Sequence, residues 1–349
     1  MKAIVYNIFG LGHINPTLPL VKNLVEVGVQ VIYHSSPERR ELIESTGAEF
    51  RNYGRDDYKA ADYNPGKNFV LQTIPATLGL LPFLLEEIEK ERPDFLIYDS
   101  MAPWGKVLAE ISGLPSYCTV TTFALSRERK HRMFSRFEVS LDEVNGKALQ
   151  ELEVKYGVKL ELEDALGAYG ENNIVFTSRE FNPPVENEER FYFMGPSLER
   201  HEDLNGFSLP DKKKKIITMG LGTILREEDP GVLDWYRELV KAFADDPEYE
   251  LILAGGDLGP LPSNVHSYER IPQLFALKHS HVFINHGGMN SLNEGLHFGV
   301  PMIAIPHSKD QFVNAERLAE TGKGLVLQRH QVKAHILRSC VERLIGRNA

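Results

Sequence analysis

The stretch from Val282 to Asn314 constrains the fold of this chain more than any other. An apolar run, Val282–Asn285, breaks into His286-Gly287-Gly288 and passes straight into a helical pattern from Met289 to Phe298. A second apolar run follows at Met302–Ile305. Strands alternating with helices in this way belong to a parallel sheet joined by crossover helices. A helix that opens behind a glycine pair offers unpaired backbone N–H groups and the positive end of its dipole, which suits a phosphate. Asn290 and Ser291 add side-chain hydrogen bonds in the first turn, with His286 and Gly288 at the mouth. Glu294 shares their helix face, where a carboxylate can accept from ribose hydroxyls. The second run leads into a loop expected to hold Asp310 and Gln311, adjacent groups suited to sugar hydroxyls.

The N-terminal half alternates in the same manner. Lys2–Ile8, Val29–His34, Ala48–Tyr53, Asp94–Tyr98 and Ser116–Thr121 read as strands, with helices over Pro16–Val27, Pro37–Thr46 and Phe69–Arg92. Asn173–Ser178 and Arg190–Phe193 read as its last strands. The alternation predicts a parallel sheet with right-handed crossovers. In the doubly wound order 3-2-1-4-5-6, the first and fourth strands are neighbours at the switch point. After the first strand comes Gly10-Leu11-Gly12-His13-Ile14-Asn15, with Asn15 expected as an N-cap and Pro16 at the first helical position. Asn15 stands where a dinucleotide fingerprint has its third glycine, which argues against NAD.

The fourth strand ends at Asp99, so this topology expects His13 and Asp99 close together at the carboxyl edge. A histidine there can take the proton of an attacking hydroxyl, and a carboxylate on its far nitrogen fixes the tautomer and steadies the imidazolium. Taken singly, His13 reads as a loop histidine and Asp99 as an N-cap for the segment starting near Ala102.

Ile216–Met219 opens a second series of strands and helices. Gly220-Leu221-Gly222-Thr223, a helix over Pro230–Phe243, a strand over Glu250–Ala254 and the box Arg270-Ile271-Pro272-Gln273 follow. Lys323–Leu327 adds a strand and Ala334–Ile345 a helix. With these, HGG-x-NS-x-x-EGL-x-x-GVP-x-x-x-x-P-x-x-x-DQ-x-x-NA, from His286 to Ala315, resembles the donor-site signature of the inverting, nucleotide-sugar-dependent family 1 glycosyltransferases. It is most similar to the macrolide and flavonoid glucosyltransferases of bacilli.

The resemblance implies an α/β chain of GT-B type, with two Rossmann-like doubly wound parallel-sheet domains facing a cleft. It implies an acceptor-binding domain at 1–195, a linker at 196–215 and a donor-binding domain at 216–349, lacking the usual C-terminal helix. Gly12-His13-Ile14-Asn15-Pro16 matches the family's G-H-x-x-P base motif, with Asp99 as its aspartate. The donor contacts carried over are Gly12, Thr223, Arg270, Ile271, Gln273, His286 and Gly288, together with Asn290, Ser291, Glu294, Asp310 and Gln311. Two positions depart from the pattern. Gly220 replaces a serine, and Arg270 replaces a tryptophan that stacks on the base. A guanidinium can also stack, so uridine and thymidine both remain open.

A chain of 349 residues suggests two domains, and 42% hydrophobic with 25% charged residues is ordinary for globular protein. A net charge of −10 argues against nucleic acid and anionic membranes as partners. The N-terminus reads as a strand rather than a leader, and prolines at 75 and 82 interrupt the longest apolar segment, so a cytoplasmic protein is expected. Cys118 and Cys340 are expected as free thiols. No D-x-D pair follows a strand, and no metal is implied. A diphosphate leaving group would instead meet the Met289 helix N-terminus and His286.

The expected partners are a UDP-sugar as co-substrate, with a TDP-sugar possible, and an apolar hydroxylated acceptor such as a flavonoid or macrolide. No permanently bound cofactor is expected, and the chain reads as a monomer or weak homodimer. Phe69–Leu85, the Phe123 loop and Met133–Phe137 are the candidate acceptor walls. Rival readings are a lipid glycosyltransferase or epimerase on the same fold, and a non-catalytic nucleotide-sugar binder or truncated inactive homologue.

Overall fold

The computed structural model describes residues 1–53, 69–136, 139–198, 202–222 and 231–347. The chain forms two compact units, Met1–Ser197 and Leu198–Ala349.

Among the described residues, the first unit is built on β1 (Lys2–Tyr6), β2 (Gln30–His34), β3 (Glu49–Arg51), β4 (Phe95–Asp99), β5 (Ser116–Val120), β6 (Asn173–Val175) and β7 (Phe191–Phe193). They lie parallel in the order β3-β2-β1-β4-β5-β6-β7. Side chains of β1 alternate between two cores, as a strand's period of two requires. Ile4 and Tyr6 join Leu80, Leu81, Leu84 and Trp104 on one face, while Ala3 and Val5 join Val21, Ile43 and Phe50 on the other. Helices cover both faces, so apolar runs without polar alternation become strands here. The helix Phe69–Glu91 runs through Pro75 and Pro82. A proline inside a helix costs about 3 kcal/mol, and the burial of Ile74, Leu80, Leu81 and Leu84 opposes that cost.

The helix after β1 begins earlier than the sequence suggested. Gly10 is extended and caps Leu11–Ile14, which continues through a 3-10 turn, Asn15–Thr17, into Leu18–Glu26. Asn15 is therefore helical (φ −51°, ψ −45°) and not an N-cap. Gly10 supplies the extended capping conformation, and Pro16 and Pro19 bring no N–H to the ladder, so the tighter 3-10 turn falls between two α segments. His13 thus sits on a helical turn, not in a loop.

The second unit is built on β8 (Lys215–Gly220), β9 (Tyr249–Leu253), β10 (Val265–Ser267), β11 (Val282–Asn285), β12 (Met302–Ala304) and β13 (Gly324–Val326). Their parallel order is β10-β9-β8-β11-β12-β13. Each unit thus has its switch point between its first and fourth strands, β1/β4 and β8/β11. The edge strand β10 was not foreseen. Asp310 and Gln311 belong to the helix Lys309–Glu320 rather than to a loop, because Ser308 and Gln311 form a reciprocal capping box.

Residues 202–214, read as linker, are packed on the second unit. The Glu202 carboxylate accepts from Leu274 N–H and Phe275 N–H at 2.9 Å each. The Phe207 ring lies 5.0 Å from that of Tyr268, and Tyr268 donates its hydroxyl to the Ser208 carbonyl at 3.2 Å. No helix among the described residues is long and apolar enough to cross a membrane.

Candidate functional site

In the first unit the site grows from the carboxyl ends of β1, β4 and β5. Asp99 is the last residue of β4 and is 1% exposed. His13 Nδ1 lies 3.0 Å from each Asp99 carboxylate oxygen, although 86 positions separate the two residues. Met101 N–H donates to Asp99 Oδ1 at 2.8 Å, holding the carboxylate from the strand side. Asp99 is not the helix cap that the isolated residue suggested; Ala102 precedes the helix Pro103–Ser112. Thr121, just past β5, places Oγ1 2.8 Å from the same His13 nitrogen.

An ionised carboxylate only accepts, so the proton of the neutral imidazole belongs on Nδ1 and the lone pair on Nε2. The backbone of the turn is held as well: Asn7 Nδ2 donates to the His13 carbonyl at 3.2 Å and to the Tyr33 hydroxyl at 2.8 Å. Gly12 lies on this turn, and a β-carbon there would meet open space. Phe123 and Phe134, offered as acceptor-wall candidates, are 2% and 5% exposed and belong to the interior. Phe137 lies outside the described residues.

The second unit repeats the construction at β8 and β11. Asn285, the last residue of β11, accepts Gly287 N–H at 2.8 Å, and Asn314 Nδ2 donates to the Gly287 carbonyl at 3.0 Å. Gly287 has φ +81°, a conformation that favours glycine. Gly288 is the extended N-cap of the helix Met289–His297, and a β-carbon there would overlap His286 Nε2. The imidazole also rests on Gly222, where a β-carbon would stand 3.2 Å from Cε1. Burial lowers the His286 pKa below its ordinary value, with Asp310 pulling the other way. At neutral pH it therefore offers a neutral N–H rather than a positive charge. The Asn285 amide nitrogen is buried without a hydrogen-bond partner, the kind of orphan that a ligand satisfies.

Along the same helix, Ser291 and Glu294 are buried and Asn290 is half-buried in the first turn. Gln273 Nε2 donates to Glu294 Oε2 at 2.6 Å and lies 3.4 Å from Ser291 Oγ, tying these three groups together. Gly220 makes room for this arrangement: a β-carbon there would stand 3.2 Å from Gln273 Oε1. Arg270 is exposed, while its neighbour Ile271 packs with Phe207 and Tyr268. Asp310 is exposed and bonded to Ser308 Oγ at 3.3 Å. Gln311 Oε1 accepts from His307 N–H and Ser308 N–H at 2.8 and 3.1 Å, so only its amide nitrogen can serve a sugar. Thr223 lies outside the described residues.

Thr121, Asn285 and Glu202 escaped the sequence reading. Only Thr121 carried a signal, a hydroxyl just beyond the strand next to Asp99.

The two α/β units each carry a cluster of polar groups at a switch point, and comparison with known proteins identifies the family. Residues 250–349 match the family model for the C-terminal domain of erythromycin biosynthesis protein CIII-like proteins. The NDP-glycosyltransferase YjiC of Bacillus licheniformis is 32% identical, over 98% of this chain and 89% of that protein. The oleandomycin glycosyltransferase of Streptomyces antibioticus is 25% identical, over 97% of this chain and 82% of its own length. The crystal structure of the calicheamicin glycosyltransferase CalG4 superposes with a TM-score of 0.85 at 26% identity, covering 99% of this chain and 89% of that one. The chain belongs to the family 1 glycosyltransferases, of the macrolide and UDP-glycosyltransferase type, and has their GT-B fold.

Proposed function

We propose that this protein transfers a hexose, glucose first among the candidates, from a UDP-sugar to a hydroxyl of an apolar small molecule such as a flavonoid, other polyphenol or macrolide, with inversion. The single observation that carries this is the His13–Asp99 pair at 3.0 Å, with Nδ1 turned to the carboxylate. In that tautomer Nε2 takes the acceptor's proton as the oxygen attacks the anomeric carbon. Asp99 orients the ring and stabilises the imidazolium. The anomeric carbon–oxygen bond to the diphosphate breaks as the new bond forms, and its electron pair leaves with the diphosphate.

The donor's diphosphate is assigned to the N-terminus of the Met289–His297 helix, with Gly288, Asn290 and Ser291 beside it. His286 adds a neutral N–H donor. Glu294 with Gln273 is assigned to the ribose, Arg270 and Ile271 to the base, and Asp310 with Gln311 to the sugar. Gly12 lines the His13 side, and Thr223 follows the Gly222 turn. Names of relatives that carry UDP-glucosyltransferase descriptions support UDP first.

The test is release of nucleoside diphosphate from UDP-glucose and a TDP-sugar against a panel of flavonoids and macrolide aglycones. Wild type should turn over, and His13→Ala should lose turnover while still binding UDP. Undiminished turnover by His13→Ala would overturn the base assignment. UDP binding without turnover by wild type, across both donor classes, would overturn the catalytic reading in favour of a binding role.

A further inference from the structure

Three buried polar side chains meet behind the turn that carries His13. Tyr33 stands on β2 and is fully buried, while Asn7, just past β1, and Thr17 are each 1% exposed. Their hydrogen bonds run in one direction. Thr17 Oγ1 has a single proton and donates it to the Ile14 carbonyl at 2.8 Å. Toward Tyr33 it can then only accept, so Tyr33 is the donor in the 2.8 Å contact between the two hydroxyls. The Tyr33 oxygen accepts from Asn7 Nδ2 at 2.8 Å, and the same nitrogen donates to the His13 carbonyl at 3.2 Å. One network, with the Tyr33 hydroxyl as its hub, thus holds the carbonyls of two consecutive residues.

Its place in the chain matters. Ile14 is the last residue of the segment Leu11–Ile14, where the backbone tightens into the 3-10 turn Asn15–Thr17. Asp99 and Thr121 hold the His13 ring at Nδ1 alone, about which it could still pivot. Fixing the His13 carbonyl as well restricts the side chain's rotamers, and with them the line along which Nε2 points. Burial pushes the Tyr33 hydroxyl pKa up against its hydrogen bonds to Thr17 and Asn7, so it stays protonated and keeps donating. Asn7 Oδ1 is buried without a hydrogen-bond partner, which costs stability. Turning the amide over would satisfy nothing, since it would set that oxygen against the His13 carbonyl.

We propose that Tyr33 is a positioning residue for the base: through Asn7 and Thr17 it clamps the carbonyls of His13 and Ile14, and so aims His13 Nε2 at the acceptor hydroxyl. The inference rests on the reading of His13 as the base. Tyr33 acts through the backbone and needs no contact with either substrate.

The test compares the intact chain with Tyr33→Phe, Thr17→Val and His13→Ala, using UDP-glucose and phenols of graded acidity. These run from an alkylphenol to a nitrophenol that is ionised at the assay pH. Tyr33→Phe keeps its ring in the core with Val5, Ile14 and Val21 and removes only the hydroxyl. A phenol that arrives ionised needs no base, so a misaimed base slows the weak acids alone. His13→Ala should therefore lose far more turnover on the alkylphenol than on the nitrophenol. Tyr33→Phe should share that selectivity, with kcat about tenfold lower on the alkylphenol and the donor's KM unchanged. Thr17→Val, which leaves Tyr33 in place and carries the test if Tyr33→Phe does not fold, should lose a similar factor. The double variant should lose little more than either alone, because both changes break one chain of bonds. A loss spread equally over all the phenols, or no loss, while His13→Ala stays selective, would overturn the clamp and leave the base standing. Equal losses on both phenols in His13→Ala would remove the base reading, and this inference with it.

Discussion

A histidine nitrogen facing a carboxylate and a hydroxyl has its tautomer set before any substrate arrives. At His13 the three oxygens lie within 3.0 Å of Nδ1. Asp99→Asn replaces an acceptor-only group with one that can also donate, which permits the wrong tautomer. It should lower kcat by about a thousandfold with little change in the donor's KM, as steady-state kinetics would show. Thr121 acts through the imidazole, so Thr121→Val should cost kcat about tenfold, the worth of one hydrogen bond. Thr121→Ser should recover most of it. Equal losses in both variants would mean that Thr121 matters for packing rather than for its hydroxyl.

At the scale of elements, the helix Met289–His297 and the turn before it form one working part. The β-carbon of Gly288→Ala would overlap His286, so the imidazole must move or the turn must open. Overpacking of this kind costs about 1–3 kcal/mol, and calorimetry should find UDP affinity reduced roughly tenfold or more. Since burial holds the His286 pKa low, a bound diphosphate should raise it, and an NMR titration with and without UDP would measure the rise. No rise would remove His286 from the phosphate contacts.

Much of this part was legible in the sequence, because long apolar runs and glycine pairs are local signals. Strand β11 and the helix behind it lie where Val282–Asn285 and Met289 placed them. The start of the helix at Leu11 was not legible, since Gly-Leu-Gly reads as a turn, while the extended Gly10 caps a helix that runs through it. Strand β10 is three residues with one buried side chain, too short for periodicity to register. The Ser308–Gln311 capping box did have a sequence signature, and it removes half of Gln311 from any sugar contact. Thr121 could not be ranked above other strand-end hydroxyls until the strand order was known.

For the molecule as a whole, acid should act in two stages. Burial lowers the pKa of His286, and His279 and His281 shift the same way for the same first reason. The unfolded chain then takes up protons first, so stability should begin to fall as the pH drops below about 6.5. Burial alone would raise Glu87, but hydrogen bonds from His34 and Arg51 outweigh it and hold the carboxyl low. Burial likewise would raise Glu250, and Lys214 and His266 reverse it. The stability these two carboxylates contribute is complete above about 4.5 and is lost as the pH falls through their lower folded values. Urea midpoints between pH 2 and 8 should trace both stages, and His286→Gln should flatten part of the first. A midpoint that stays constant from pH 7 to 5 would exclude the histidine contribution.

Residues 202–214 decide where two relatives could be spliced. Glu202 holds the backbone N–H groups of Leu274 and Phe275, immediately after Gln273. A hybrid joined at residue 215 would bring a foreign strap to a helix start shaped for this one, whereas a junction at residue 198 keeps strap and helix from the same parent. The seam for recombination therefore lies seventeen residues ahead of the first strand of the second unit.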